Sequence, residues 1–131
     1  MTTPFLELTI DKVVAGGRAL GRHDGRVVLV WGAIPGERVR ARVERMAKGV
    51  VYAETVDVLE ASPDRREPVG DWRCGGHVFA HVAPARQTVL KAGIIVDAFT
   101  RLARYDLGGG VRVMPSPSEG YRLRARLHVQ D

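Results

Sequence analysis

The chain has 131 residues, 45% of them hydrophobic and 27% charged, a balance that excludes a disordered chain and suits one ordinary domain, or a small domain with an incomplete second one. A formal net charge of +5 and a pI near 10.0 favour a polyanionic partner, because Lys and Arg displace the counterions condensed on phosphates. No apolar run approaches the roughly 20 residues of a bilayer span, the N-terminus lacks the basic and apolar regions of a signal peptide, and the single cysteine supports no internal disulfide framework; the expected compartment is the reducing cytoplasm, with no membrane partner.

Leu6, Leu8 and Ile10 alternate with Glu7, Thr9 and Asp11, the period of a strand with one buried and one wet face. Residues 15–22 are too glycine-rich to stay regular. As a phosphate cradle this loop fails, because no Lys-Ser or Lys-Thr follows its last glycine and no clear helix opens there; its expected role is a tight backbone path with Arg18 and Arg22 at the rim. Asp24-Gly25 suits a type I′ hairpin turn and leads into a strand at 27–31. Ile34-Pro35-Gly36-Glu37 sets Pro and Gly at the centre of a type II turn, which delivers a strand at 38–45, and Lys48-Gly49 turns the chain into a strand at 50–59. Four or five short strands at such close intervals predict a small closed antiparallel barrel of the OB type, since closure removes exposed sheet edges. The expected fold class is therefore mainly β: an OB-like barrel over 1–60, then an incomplete α+β segment over 61–131 with one amphipathic helix.

Residues 1–60 carry nine Lys/Arg against eight Asp/Glu, and residues 61–131 eleven against seven, so nucleic-acid binding by the front part rests on local clustering. In the strand at 38–45, Arg38, Arg40 and Arg42 share one face while Val39, Ala41 and Val43 share the other. Such a row is either a solvated face or a phosphate track; Arg18, Arg22 and Lys48 in adjoining loops favour RNA.

The polar, proline-punctuated stretch at 61–68 reads as the link leaving the barrel. Cys74, His77 and His81 have the short spacing of zinc ligands, but a closed site needs a fourth, and His23 and His128 lie far away in sequence. The bland reading places His77 and His81 as polar residues near a loop and helix start, and Cys74 as a buried or half-buried thiol. Val89, Leu90, Ile94, Ile95, Ala98, Phe99 and Leu102 recur at helical spacing and predict an amphipathic helix over about 84–105, stopped by Gly108-Gly109-Gly110; such a stripe is more often core than a partner groove, and with one or two strands beside it some apolar surface is expected to stay uncovered. Further on, Arg122, Arg124, Arg126 and His128 would share one face of a strand and Leu123, Ala125, Leu127 and Val129 the other, giving either a wet sheet face or a second nucleic-acid surface.

Taken together, Gly16-Gly17 with Leu20-Gly21-Arg22, Asp24-Gly25, Ile34-Pro35-Gly36-Glu37, Ser62-Pro63-Asp64-Arg65, Cys74-Gly75-Gly76, His81, Gln87 with Leu90-Lys91, and Gly120-Tyr121-Arg122-Leu123-Arg124-Ala125-Arg126 resemble the N-terminal part of the RNA (uracil-5-)-methyltransferase family, which begins with a TRAM domain. The resemblance implies a barrel that binds RNA, an iron-sulfur cluster in a central domain, and a C-terminal domain that uses S-adenosylmethionine to methylate C5 of a flipped-out uridine after a cysteine adds to C6. The family's cluster motif is close to C-P-x-x-x-x-C-G-G-C. Here Pro68 or Val69 stands near the first cysteine position and His77 replaces the third, leaving Cys74 as a vestige, so the cluster is expected to be lost. The 131 residues hold no glycine-rich cofactor loop after a strand and no Asp-Pro-Pro-Arg element with its nucleophilic cysteine, and Cys74 is not that nucleophile. The implied role is the RNA-binding front portion of such an enzyme, with no bound cofactor or catalytic residue of its own, a ribosomal or transfer RNA partner, and no DNA. TRAM domains also act alone, so a stand-alone RNA-binding module, such as an RNA chaperone or ribosome-associated factor, is the alternative.

Overall fold

The structure, a computed structural model, describes residues 3–68, 70 and 74–130. Five strands, β1 (Phe5–Val13), β2 (Ala19–His23), β3 (Arg26–Trp31), β4 (Arg38–Ala47) and β5 (Val50–Glu60), close into a barrel in the order β1-β2-β3-β5-β4. The alternation read from the sequence sets the inside: Leu8, Ile10, Val28, Val30, Val39, Ala41, Val51 and Ala53 fill one core while their neighbours face outward. At both hairpin tips the two central residues have positive φ, Asp24 (48°) with Gly25 (75°) and Lys48 (50°) with Gly49 (78°), the left-handed pair that a two-residue turn needs to match strand twist. The Ile34–Glu37 turn also forms as expected, closed by a 3.0 Å hydrogen bond from the Glu37 N–H to the Ile34 carbonyl.

Two expectations for the barrel are corrected. The glycine-rich stretch does not stay irregular, because Ala19–His23 forms β2, paired with both β1 and β3. Gly21 is what allows it: a Cβ there would stand 2.6 Å from the Thr9 carbonyl oxygen and 2.7 Å from Leu8 Cδ1, so the bare backbone lets β2 approach β1 closely enough to close the wall. Nor is the barrel wholly antiparallel. β4 crosses over to pair with β1, and β3 pairs with β5 in parallel, with Val28 opposite Val51 and Val30 opposite Ala53.

After β5 the chain is tied back onto the barrel. An isolated bridge joins Arg65 to Val82, the Arg66 N–H donates to the His81 carbonyl at 3.0 Å, and the Ala83 N–H donates to the Asp64 carbonyl at 2.8 Å. A short 3-10 turn (Gly75–His77) precedes helix α1 (Pro84–Ala98), which starts with its proline in the first turn, where no N–H partner is lost. Gln87 reaches back from the first turns of α1 and donates to the carbonyls of Phe79 and Val82. Leu90, with Ile94 and Phe79, packs on Val13, Ile34 and Val82 in a second core beneath the barrel. Lys12 and Asp97 join β1 to the far end of the helix at 2.6 Å, and the Lys12 hydrogen bond holds the Asp97 carboxyl below its usual range.

The remainder meets expectation in its helix and departs from it beyond. α1 gives way at Phe99–Ala103 to a wider π-type turn and ends at Arg104, whose φ of 52° is left-handed, before Tyr105 and well before the glycines. Most of its apolar stripe is uncovered: Leu90 is buried and Ile94 half-buried, but Val89, Ile95, Phe99 and Leu102 are exposed. Among the described residues no strand forms after β5, so Arg122, Arg124, Arg126 and His128 are not on a sheet. Alternation alone cannot make a strand. It needs a partner edge, the closed barrel offers none, and Leu123 stands 99% exposed. No helix among the described residues is long and apolar enough to cross a membrane.

Candidate nucleic-acid interface

The outer wall of β4 carries the arginine row seen in the sequence, with Val39 and Ala41 buried between its members. The sheet register sets acids against it. Arg38 reaches Glu7 of β1 at 2.8 Å, Arg40 faces Asp57 of β5 at 3.6 Å while its guanidinium lies 4.5 Å from the Phe5 ring centre, and Arg42 pairs with Glu54, its cross-strand partner. The row is therefore a ladder of ion pairs, with its positive field largely spent within the wall.

Arg18 is not displayed at a rim. Its guanidinium folds onto the barrel, donating to the carbonyls of Leu29 (3.3 Å) and Ala53 (3.1 Å) and to Glu44 (3.1 Å), and lies 4.4 Å from the Trp31 ring centre and 5.1 Å from that of Tyr52. Next along the same wall, Arg45 lies over the Tyr52 ring at 3.7 Å, the two residues facing each other across β4 and β5 just after a bulge.

The parallel register of β3 and β5 brings the two hairpin tips together. Val28 is opposite Val51, so Arg26 and the Lys48-Gly49 turn lie at the same end of the barrel, beside Arg22 and Arg45. Arg22, Arg26, Arg45 and Lys48 are exposed and carry no carboxylate partner among the described residues; the acid at this end, Asp24, is itself exposed and lies 3.4 Å from His23 Nε2. Arg26 and Arg45 were not among the residues singled out from the sequence. The signal was available only through the register: Arg26 directly follows the turn residue Gly25 and Arg45 stands four residues before Gly49, and nothing in linear order says that the two turns share an end.

At the opposite end the turn residue Glu37 is wholly buried and fully bonded. Its carboxylate accepts from the N–H groups of Ile34 (2.9 Å) and Ser62 (3.1 Å) and a two-pronged fork from Arg65 (2.7 and 2.8 Å), while Arg65 also donates to the Gly32 carbonyl at 2.6 Å. Burial pushes the Glu37 carboxyl up, but the Arg65 hydrogen bonds, the two backbone donors and the Arg65 charge outweigh it and hold the group below its ordinary value. His81, also buried, donates from Nε2 to the Ala33 carbonyl at 3.2 Å, and burial, with Arg65 nearby, keeps it below the usual imidazole range and hence neutral. Several residues that carried the family resemblance, Glu37, Ser62, Asp64, Arg65, His81 and Gln87, thus build one clamp between barrel and helix.

Cys74 is exposed, not buried or half-buried, and no three His, Cys, Asp or Glu side chains come together as a metal site among the described residues. A thiolate cluster draws on several sulfurs, and Cys74 is the chain's single cysteine, so its side chains do not fit an iron-sulfur cluster. Arg122, Arg124 and Arg126 lie exposed in the irregular stretch at 121–130, away from any strand.

Residues 5–56, the barrel, match the TRAM domain family. They are a TRAM domain. Around it, the chain is 33% identical over 129 residues to the 23S rRNA (uracil(1939)-C(5))-methyltransferase RlmD of Alkalilimnicola ehrlichii, covering 97% of this chain and 29% of that protein. It is 39% identical to an uncharacterized RNA methyltransferase of Streptomyces avermitilis (91% and 29%) and 34% identical to the RlmD of Pseudomonas putida (94% and 28%). A solved structure of a conserved protein from Methanococcus maripaludis is 30% identical, covers 43% of this chain and 80% of that one, and has a TM-score of 0.39. This chain corresponds to the N-terminal part of the RNA uracil-C5-methyltransferases and spans under a third of the length of the relatives it matches.

Proposed function

We propose that this chain is the RNA-binding front portion of an S-adenosylmethionine-dependent RNA (uracil-5-)-methyltransferase acting on ribosomal RNA in the cytoplasm, and that the hairpin end of its TRAM barrel holds the RNA backbone. One observation carries the placement of the contact: Arg22, Arg26, Arg45 and Lys48 gather at that end with no carboxylate partner among the described residues. Cations without internal partners can exchange condensed counterions for protein contacts directly, whereas Arg38, Arg40 and Arg42 must first give up Glu7, Asp57 and Glu54. The row along β4 is therefore a secondary track, Arg18 is a bracing residue of the wall, and Arg122, Arg124 and Arg126 are a further exposed contact. The choice of ribosomal RNA leans on the relatives named for 23S rRNA. Methyl transfer belongs to the part of the enzyme that binds S-adenosylmethionine; these 131 residues supply grip and orientation.

The test is RNA affinity against salt by fluorescence anisotropy. Wild-type chain should lose affinity steeply as salt rises, and replacing Arg26, Arg45 and Lys48 together with Ala should weaken binding by roughly tenfold or more and flatten the salt slope by about one unit for each cation removed. Binding indifferent to both salt and these substitutions would sink the proposal.

A further inference from the structure

On the reading that the hairpin end binds RNA, we propose that the Arg45–Tyr52 pair is a stacking position for an unpaired base, so that the RNA class taken there is single-stranded, not duplex. Phosphate attraction alone asks only for charge, and Lys48 or Arg22 would serve. Arg45 is placed differently: its guanidinium lies 3.7 Å from the Tyr52 ring centre, and it has no hydrogen bond or ion pair among the described residues. A planar, delocalised cation held on an aromatic ring keeps its second face and its N–H fork available, which matches the flat face and acceptor edge of a nucleobase.

The platform beneath is braced. Tyr52 also meets Arg18 at 5.1 Å, and Arg18 is fixed by the Leu29 and Ala53 carbonyls and Glu44, with Trp31 at 4.4 Å. A base landing on Arg45 would thus extend a stack already ordered before binding, which lowers the entropy lost on association. Lys48 and Arg26 at the adjacent tips supply the cations for the flanking phosphates. Bases paired within a duplex have their faces covered by their neighbours, so only an unpaired base can use such a position.

The experiment compares the full chain and its variants on three labelled probes of equal length: an unstructured RNA strand, the same strand in a duplex, and an abasic ribose-phosphate strand. Wild type should prefer the unstructured strand to the other two. Arg45→Lys, which keeps the charge and loses the plane, should bind that strand about tenfold more weakly while matching wild type on the abasic probe. Tyr52→Leu, which removes the ring that holds Arg45, should show the same selective loss on the base-bearing strand, and circular dichroism melts should confirm that both variants are folded. If Arg45→Lys binds the base-bearing strand as well as wild type, or if duplex binds as tightly as single strand, the stacking position is wrong though RNA binding stands. If wild type binds no RNA at any salt, the functional reading itself falls and takes this inference with it.

Discussion

At the end of the barrel where β4 begins, Arg65 closes a fork on a carboxylate with 0% exposure, whereas at the other end, where β4 turns into β5, Arg45 and Lys48 stand in water with no carboxylate among the described residues. The same chemical group does opposite work according to its acceptors. At the first end all the acceptor positions of Glu37 are taken, so the desolvated pair is locked and its loss leaves a bare charge in a dry place. At the second end the donors are unspent, so little holds the chain together there and a polyanion finds them ready.

The contrast breaks most sharply at the clamp. Arg65→Ala should cost about 3–5 kcal/mol of stability, a large part of the total for so small a fold, because the Glu37 carboxylate would be left buried without its counter-ion. Urea denaturation followed by circular dichroism reads it, and a loss below about 1 kcal/mol would show that water or another donor compensates. Replacing Arg26, Arg45 and Lys48, by contrast, should cost no more than about 1 kcal/mol, the worth of the exposed contact between Arg45 and the Tyr52 ring.

A smaller effect comes from pH at the same end. His81 has a folded-state pKa below its ordinary 6.5, so the unfolded chain binds the proton more readily; the stability contributed by neutral His81 is complete above about pH 6.5 and falls as pH drops from there toward the folded value. Glu37 adds a second loss in the same direction below its ordinary 4.5, where its carboxylate must be protonated. Melting temperatures between pH 8 and 5 should therefore decline in the wild type, and His81→Gln, which keeps a side-chain N–H for the Ala33 carbonyl without a titrating ring, should flatten that limb. An unchanged decline in the variant would assign the loss to another group.

How far each end was legible follows from the range of the interactions that make it. Strands β1, β3, β4 and β5, both hairpin turns and the Pro35-Gly36 turn are local, written in alternation and in residues that tolerate positive φ, and the sequence reading places them. β2 was missed because its glycine reads as disorder in isolation and makes sense only against Thr9 and Leu8 of the neighbouring strand. The strand expected at 122–129 failed for the converse reason: its alternation is regular, but no edge is present to complete it. For the binding surface, counting charge found the arginine row and could not see the acids that the register of β1 and β5 sets against it, nor the tips that the parallel β3–β5 pair brings together. Glu37 was visible as a turn residue only, since its partner Arg65 lies 28 positions away.

The row along β4 lies between the two ends, and it gives the smallest and most discriminating effect. Arg38 and Glu7 are each about half exposed, so their pair is worth roughly 0–1 kcal/mol and either can be removed without harm to the fold. Arg42→Ala should cost more than Arg38→Ala, because Glu54, unlike Glu7, is nearly buried and would lose its partner there. For RNA the two halves of the Arg38–Glu7 pair have opposite signs. Arg38→Ala should weaken binding slightly, while Glu7→Gln, which removes an internal competitor and leaves Arg38 unpaired, should tighten it by up to about threefold at low salt, a gain that disappears as screening rises. If Glu7→Gln leaves affinity unchanged, the row lies outside the RNA path, and the barrel meets RNA through its hairpin end and not its β4 wall.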